Sequence, residues 1–111
     1  MKINKDLNAA SATTIVLSIL REGESYGYAI AQRVKELSDG EVEWTDGMLY
    51  PILHRLEAEG LIAARWGESE VGRRRKYYRL EAAGLPVLAD ERQQWTTIHR
   101  ILYRLWKNQL A

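Results

Sequence analysis

Cysteine is absent from all 111 residues, which removes disulfide frameworks, thiolate metal sites and cysteine nucleophiles. Histidine is nearly absent. His54 and His99 stand alone, with no metal-ligand spacing to a carboxylate, so neither a metal nor a cofactor is expected. No stretch approaches 18 consecutive apolar residues, and the opening Met1 to Asp6 lacks the apolar core of a signal peptide. The expectation is a cytoplasmic protein with no membrane partner. No glycine-rich phosphate loop follows a strand, and no serine, histidine and acid can be placed together, so the chain is not expected to be an enzyme. There is no internal repeat and no low-complexity stretch. A chain this short buries roughly 65% of the surface its unfolded form exposes, enough for one core.

Overall charge is also nearly missing, at a formal +1, but its distribution is uneven. Residues 1–60 hold 6 Lys and Arg against 10 Asp and Glu, while residues 61–111 hold 10 against 5. Five of the seven positions from 73 to 79 are basic: Arg73, Arg74, Arg75, Lys76 and Arg79. An anionic polymer responds to such a local stripe rather than to the total.

Hydrophobic periodicity supplies the elements. Ala12, Ile15, Val16, Ile19 and Leu20 share one face of a helix over 9–21, closed by Gly23. Ser25 is placed to cap a second helix over 26–38, with Tyr26, Ile30, Val34 and Leu37 on one side and Gly40 at its end. A third helix starts near Thr45. Its N-cap hydroxyl, the dipole-compatible Asp46 and the Trp44–Leu49 staple all mark that start. Leu49, Ile52, Leu53 and Leu56 form its inner stripe. Gly47, Pro51, His54, Arg55 and Ala58 face outward, with Tyr50 on the flank. Pro51 lies beyond the first turn of such a helix, and a start at Tyr50 with Pro51 in the first position is the alternative. The sequence leaves both open.

Leu61 to Trp66 and Arg74 to Leu80 read as two strands joined by the polar tip Gly67 to Gly72. Alternation puts Arg75, Tyr77 and Arg79 on one face and Lys76, Tyr78 and Leu80 on the other, with Tyr78 and Leu80 inward. A final helix covers about 82–108, with Pro86 in or near its first turn. Leu88, Glu91, Trp95, Ile98, Leu102 and Leu105 form a heptad-like seam, widened by Ile101 and Trp106. So wide an apolar face on so small a domain calls for a second copy of the chain. Leu88, Trp95, Ile98, Leu102, Leu105 and Trp106 are its candidate interface residues.

These elements predict a mainly α fold with a small two-stranded β-hairpin. It is a winged helix-turn-helix over residues 1–81 with a C-terminal dimerisation helix over 82–111, together one structural unit. The arrangement offers double-stranded DNA a helix end for the major groove and a cationic ribbon for the phosphates. Candidate contacts at the start and outer face of the third helix are Thr45, Gly47, Tyr50, His54 and Arg55. On the arm they are Arg73, Arg74, Arg75, Lys76 and Tyr77. The rival reading is an adaptor module whose wing meets an acidic protein without specific DNA binding.

Three segments resemble the PadR family of bacterial transcriptional regulators, in order and over nearly the whole chain. They are Tyr26-Gly27-Tyr28-Ala29-Ile30, then Gly47-Met48-Leu49-Tyr50-Pro51 with Leu53, Leu56-Glu57 and Gly60-Leu61-Ile62, then Gly72-Arg73-Arg74-Arg75-Lys76-Tyr77-Tyr78. The short tail is similar to the compact branch of that family that includes the multidrug-sensing lactococcal repressor. The resemblance implies a homodimer joined through the last helix, an operator as partner, and a flat hydrophobic or aromatic effector stacked on Trp95 at the dimer centre. Leu7, Ala10 and Thr14 would line the opposite wall, with Leu102 one layer below. The chain departs from the family pattern after the wing, where Leu80-Glu81-Ala82-Ala83-Gly84 has Glu81 in place of threonine. It also carries Arg92 and His99 on the turns beside Trp95, which directs the expected pocket toward neutral or anionic planar ligands such as aromatic acids.

Overall fold

The computed structural model describes residues 1–109. The last two positions of the tail expected over 82–111 lie outside the described residues. The elements are α1 (Lys5–Glu22), β1 (Ser25–Tyr26), α2 (Gly27–Leu37), α3 (Asp46–Ala58), β2 (Ile62–Glu68), β3 (Arg74–Leu80) and α4 (Gly84–Gln109). No helix among the described residues is long and apolar enough to cross a membrane.

Helix α1 begins four residues earlier than expected. Asn4 Oδ1 accepts from the amides of Asp6 and Leu7 at 2.8 and 3.4 Å, satisfying two of the free N–H groups of the first turn. The expected N-cap role of Ser25 is not found. Ser25 and Tyr26 are extended and pair antiparallel with β3, Ser25 opposite Tyr78 and Tyr26 opposite Tyr77. Helix α2 therefore starts at Gly27 without a side-chain cap. The sheet has three strands in the order β1-β3-β2, not the two expected. A two-residue strand has no periodicity to read. Its place is fixed by the open edge of β3, which satisfies its backbone groups.

The structure decides the start of α3. Thr45 is the N-cap, its hydroxyl accepting from the Met48 amide at 3.3 Å, and Pro51 lies inside the helix. Gly47, whose carbonyl would otherwise accept the i→i−4 bond that proline lacks, is solvent-exposed, so water can take that partner's place. Strand β2 runs through Glu68, two residues further than expected, in register with β3 from Ile62 opposite Leu80 to Glu68 opposite Arg74. Helix α4 starts at Gly84, two residues late, with Pro86 in its first turn. A Cβ on Gly84 would meet the Leu61 carbonyl at 2.5 Å and Leu80 Cδ1 at 2.7 Å, so the tail helix leaves the domain in close contact with the α3–β2 junction.

The core gathers Val16 and Leu17 of α1, Ile30 of α2, Leu49, Leu53 and Leu56 of α3, and Ile62 and Tyr78 of the sheet. Trp44 is buried with its indole N–H donating to Asn8 Oδ1 at 3.1 Å. Leu88 belongs to this core at 4% exposure, which corrects its expected role at a dimer interface. Beyond Leu88, α4 leaves the core and gives the molecule its 55 Å long axis.

Candidate nucleic-acid interface and ligand cleft

The outer face of α3 is organised from α2. A Cβ on Gly27 would lie 2.7 Å from the Tyr50 hydroxyl, so the absence of a side chain there lets Tyr50 pack against the first turn of α2. Tyr50 remains 37% exposed, its hydroxyl at the amide end of that helix, and the exposed His54 ring lies 6.2 Å from its own. Thr45 and Gly47 are exposed at the start of α3. Arg55 is exposed as expected, but its guanidinium is engaged. Its Nη2 donates to Thr13 Oγ1 of α1 at 2.6 Å and its Nη1 lies 3.3 Å from Glu59 Oε1, which turns the guanidinium toward α1 and α4.

The two faces of the wing differ in kind. On one, Arg65 of β2 makes a two-pronged contact with Glu24 at 2.9 and 2.6 Å, crossing the Tyr77 ring of β3 at 4.7 Å. Gly67 leaves room for this, since a Cβ there would touch both Arg65 Nη1 and the Tyr77 ring. The Arg65 hydrogen bonds hold the Glu24 carboxyl below the usual carboxylate range. Arg75 Nε donates to the Tyr77 hydroxyl at 2.8 Å while its guanidinium lies 3.7 Å from the centre of the Tyr26 ring. Arg75 and Tyr77, both candidate DNA contacts, are partly buried here and join β1 to the sheet.

The other face continues the inner side of the sheet beyond the core. Ile62, Ala64, Trp66 and Glu68 share it with Leu80, Tyr78, Lys76 and Arg74 across the ladder. Lys76 Nζ reaches Glu57 Oε1 of α3 at 3.3 Å, so this face turns toward α3. The end of it carries Trp66 at 59% exposure, with the Arg74 guanidinium 5.0 Å from the ring centre. Of the five basic residues between 73 and 79, Arg73 and Arg74 are exposed and have no acidic partner among the described residues. Lys76 is paired to Glu57 and Arg79 to Glu81 at 3.4 Å. The alternation of β3, carried across the register onto β2, places Trp66 on this same face.

A cleft of about 360 Å³ opens between α1, α3 and α4. Ala10, Thr14 and Trp95 line it as expected, and Trp95 is half-buried. Leu7, Arg92, His99 and Leu102 are not among its lining residues. Arg92 lies with Arg100 along a separate groove on α4, and His99 stacks on Tyr103. The cation at this cleft is Arg55, contributed by α3, with Glu91 nearby accepting a hydrogen bond from the Thr14 hydroxyl. The expected seam continues along α4, where Ile98, Ile101, Leu102, Leu105 and Trp106 are exposed in this single chain.

Comparison with known proteins gives the same architecture. The model of the transcriptional regulator PadR-like family matches residues 16–90. The transcriptional regulator Rv3488 of Mycobacterium tuberculosis is 33% identical over 89 residues, covering 80% of this chain and 79% of that one. A transcriptional regulator from Clostridium thermocellum superposes with a TM-score of 0.81 at 30% identity, over 92% of this chain and 96% of the other. A PadR-like regulator from Bacillus cereus superposes at 0.80 with 26% identity, over 92% and 97%.

Proposed function

Since this chain belongs to the PadR-like family of transcriptional regulators, we propose that it acts as a homodimeric repressor of a near-palindromic operator, released by a small planar ligand. The supporting observation is the common orientation of α3 and the inner wing face, held by the Lys76–Glu57 ion pair. The exposed residues Thr45, Gly47, Tyr50 and His54 meet the major groove or its edge, while Arg73 and Arg74 take phosphates. Two copies joined along the exposed seam of α4 would set their reading helices in successive major grooves, about 34–36 Å apart.

The same reading places the effector in the cleft at Trp95, as in the compact branch of the family. Arg55 replaces Arg92 and His99 as the group that selects its charge. An aromatic carboxylate stacked on Trp95 pairs with Arg55 and draws it away from Thr13 and Glu59. Because Arg55 belongs to α3, the ligand acts directly on the element that reads DNA. Such coupling is typically worth about 1–3 kcal/mol.

The test is a mobility shift with the DNA upstream of the protein's own gene, at two salt concentrations, with and without an aromatic carboxylate or a cationic planar dye. Specific retention that weakens steeply with salt is expected, with release by the carboxylate at lower concentration than by the dye. Weak retention of any sequence alike would instead favour the adaptor reading. Retention that neither compound relieves would remove the effector part alone.

A further inference from the structure

The four tryptophans occupy four different settings, and three are accounted for. Trp44 is in the core with its N–H satisfied, Trp95 lines the cleft, and Trp106 belongs to the seam of α4. Trp66 has no such role. It projects from the wing at 59% exposure, past the last buried position of its face, opposite Lys76 and with the Arg74 guanidinium 5.0 Å from its ring centre. A solvated indole contributes little to the fold there. It stands on the face turned toward α3, open to a partner from solution.

We infer that Trp66 and Arg74 form a joint contact to the sugar-phosphate backbone of duplex DNA, beside the groove entered by α3. This rests on the DNA-binding reading given above. Three features identify the occupant. The register sets Trp66 on the same face as Lys76, whose bond to Glu57 orients that face toward α3. The neighbouring Arg73 and Arg74 are exposed and form no ion pair among the described residues, so even with Glu68 across the ladder from Arg74 the patch keeps a net positive charge and is complementary to an anionic polymer. The guanidinium of Arg74 already lies over the indole, and its side chain therefore gives up less freedom on meeting a phosphate. The indole packs against deoxyribose and Arg74 takes the adjacent phosphate. Such a contact adds affinity without sequence information.

Fluorescence anisotropy on labelled operator and on a scrambled duplex, across a salt series, tests this with Trp66→Ala, Trp66→Phe and Arg74→Gln. Trp66→Ala is expected to weaken both duplexes alike by roughly five- to fifty-fold, by a factor that does not change with salt. Trp66→Phe restores most of the loss. Arg74→Gln lowers the salt slope by about one. Thermal unfolding of Trp66→Ala close to that of the unmodified chain excludes a folding defect. Wild-type affinity in Trp66→Ala, or a loss confined to particular base pairs, overturns the inference while the regulator reading stands. If the unmodified chain retains no operator, that reading and this contact fail together.

Discussion

Tyr78 has a fully buried ring, and its hydroxyl has no hydrogen-bond partner among the described residues. Burial pushes the phenol above its usual range, with the nearby Glu57 carboxylate and Tyr50 adding to the shift. Two outcomes follow. Tyr78→Phe should raise stability by about 1 kcal/mol, because it removes a buried polar atom that forms no bond. The unfolded chain also loses the phenolic proton first as pH rises. The contribution of Tyr78 is therefore intact below about pH 10 and is lost through its raised folded value. Urea titrations at pH 7 and above pH 10 should show this alkaline decline in the parent and a smaller one in the variant. Alternation in the sequence was enough to place Tyr78 inward. It was not enough to show where the exposed Arg55 sends its guanidinium, which reaches Thr13 of α1. Backbone periodicity fixes where a Cβ points, and a flexible side chain decides for itself where its charge ends.

Elements with their own chemical marks were legible. Helix α3 carried a capping threonine, an acidic first turn and an apolar stripe, and it starts where those marks put it in spite of Pro51. Strand β3 has the bounds that alternation indicated. Elements defined by a distant partner were not legible. Strand β1 exists because β3 offers it an edge, and Leu88 turned from interface to core because α4 is seated against the Leu61 carbonyl before it leaves the domain. The same lesson holds for the cleft. The resemblance drew attention to Trp95, Ala10 and Thr14, which meet there, but the charged groups came from α3 and from Glu91 rather than from Arg92 or His99. Thr45→Ala should cost about 1 kcal/mol by leaving the Met48 amide uncapped, measurable as a lower urea midpoint, and should weaken operator binding as the first turn of α3 frays.

Taken whole, the molecule is a small block with a long helix projecting from it, and that helix presents its apolar side to solvent in the single chain. In the proposed dimer, Leu105→Glu would bring two carboxylates together at the seam. Sedimentation should then report a 12.8 kDa species, and operator affinity should fall by about 100-fold or more as one-armed binding replaces two-armed binding. A dimer that persisted with this change would require a different joining surface. The bolting of Arg65 to Glu24 and of Arg75 between Tyr26 and Tyr77 leaves the wing little freedom to swing against α2. Were the wing to keep this geometry on the proposed operator, the duplex would have to twist or bend to meet it, and the ease with which a given stretch of base pairs deforms would enter recognition even where no side chain touches them.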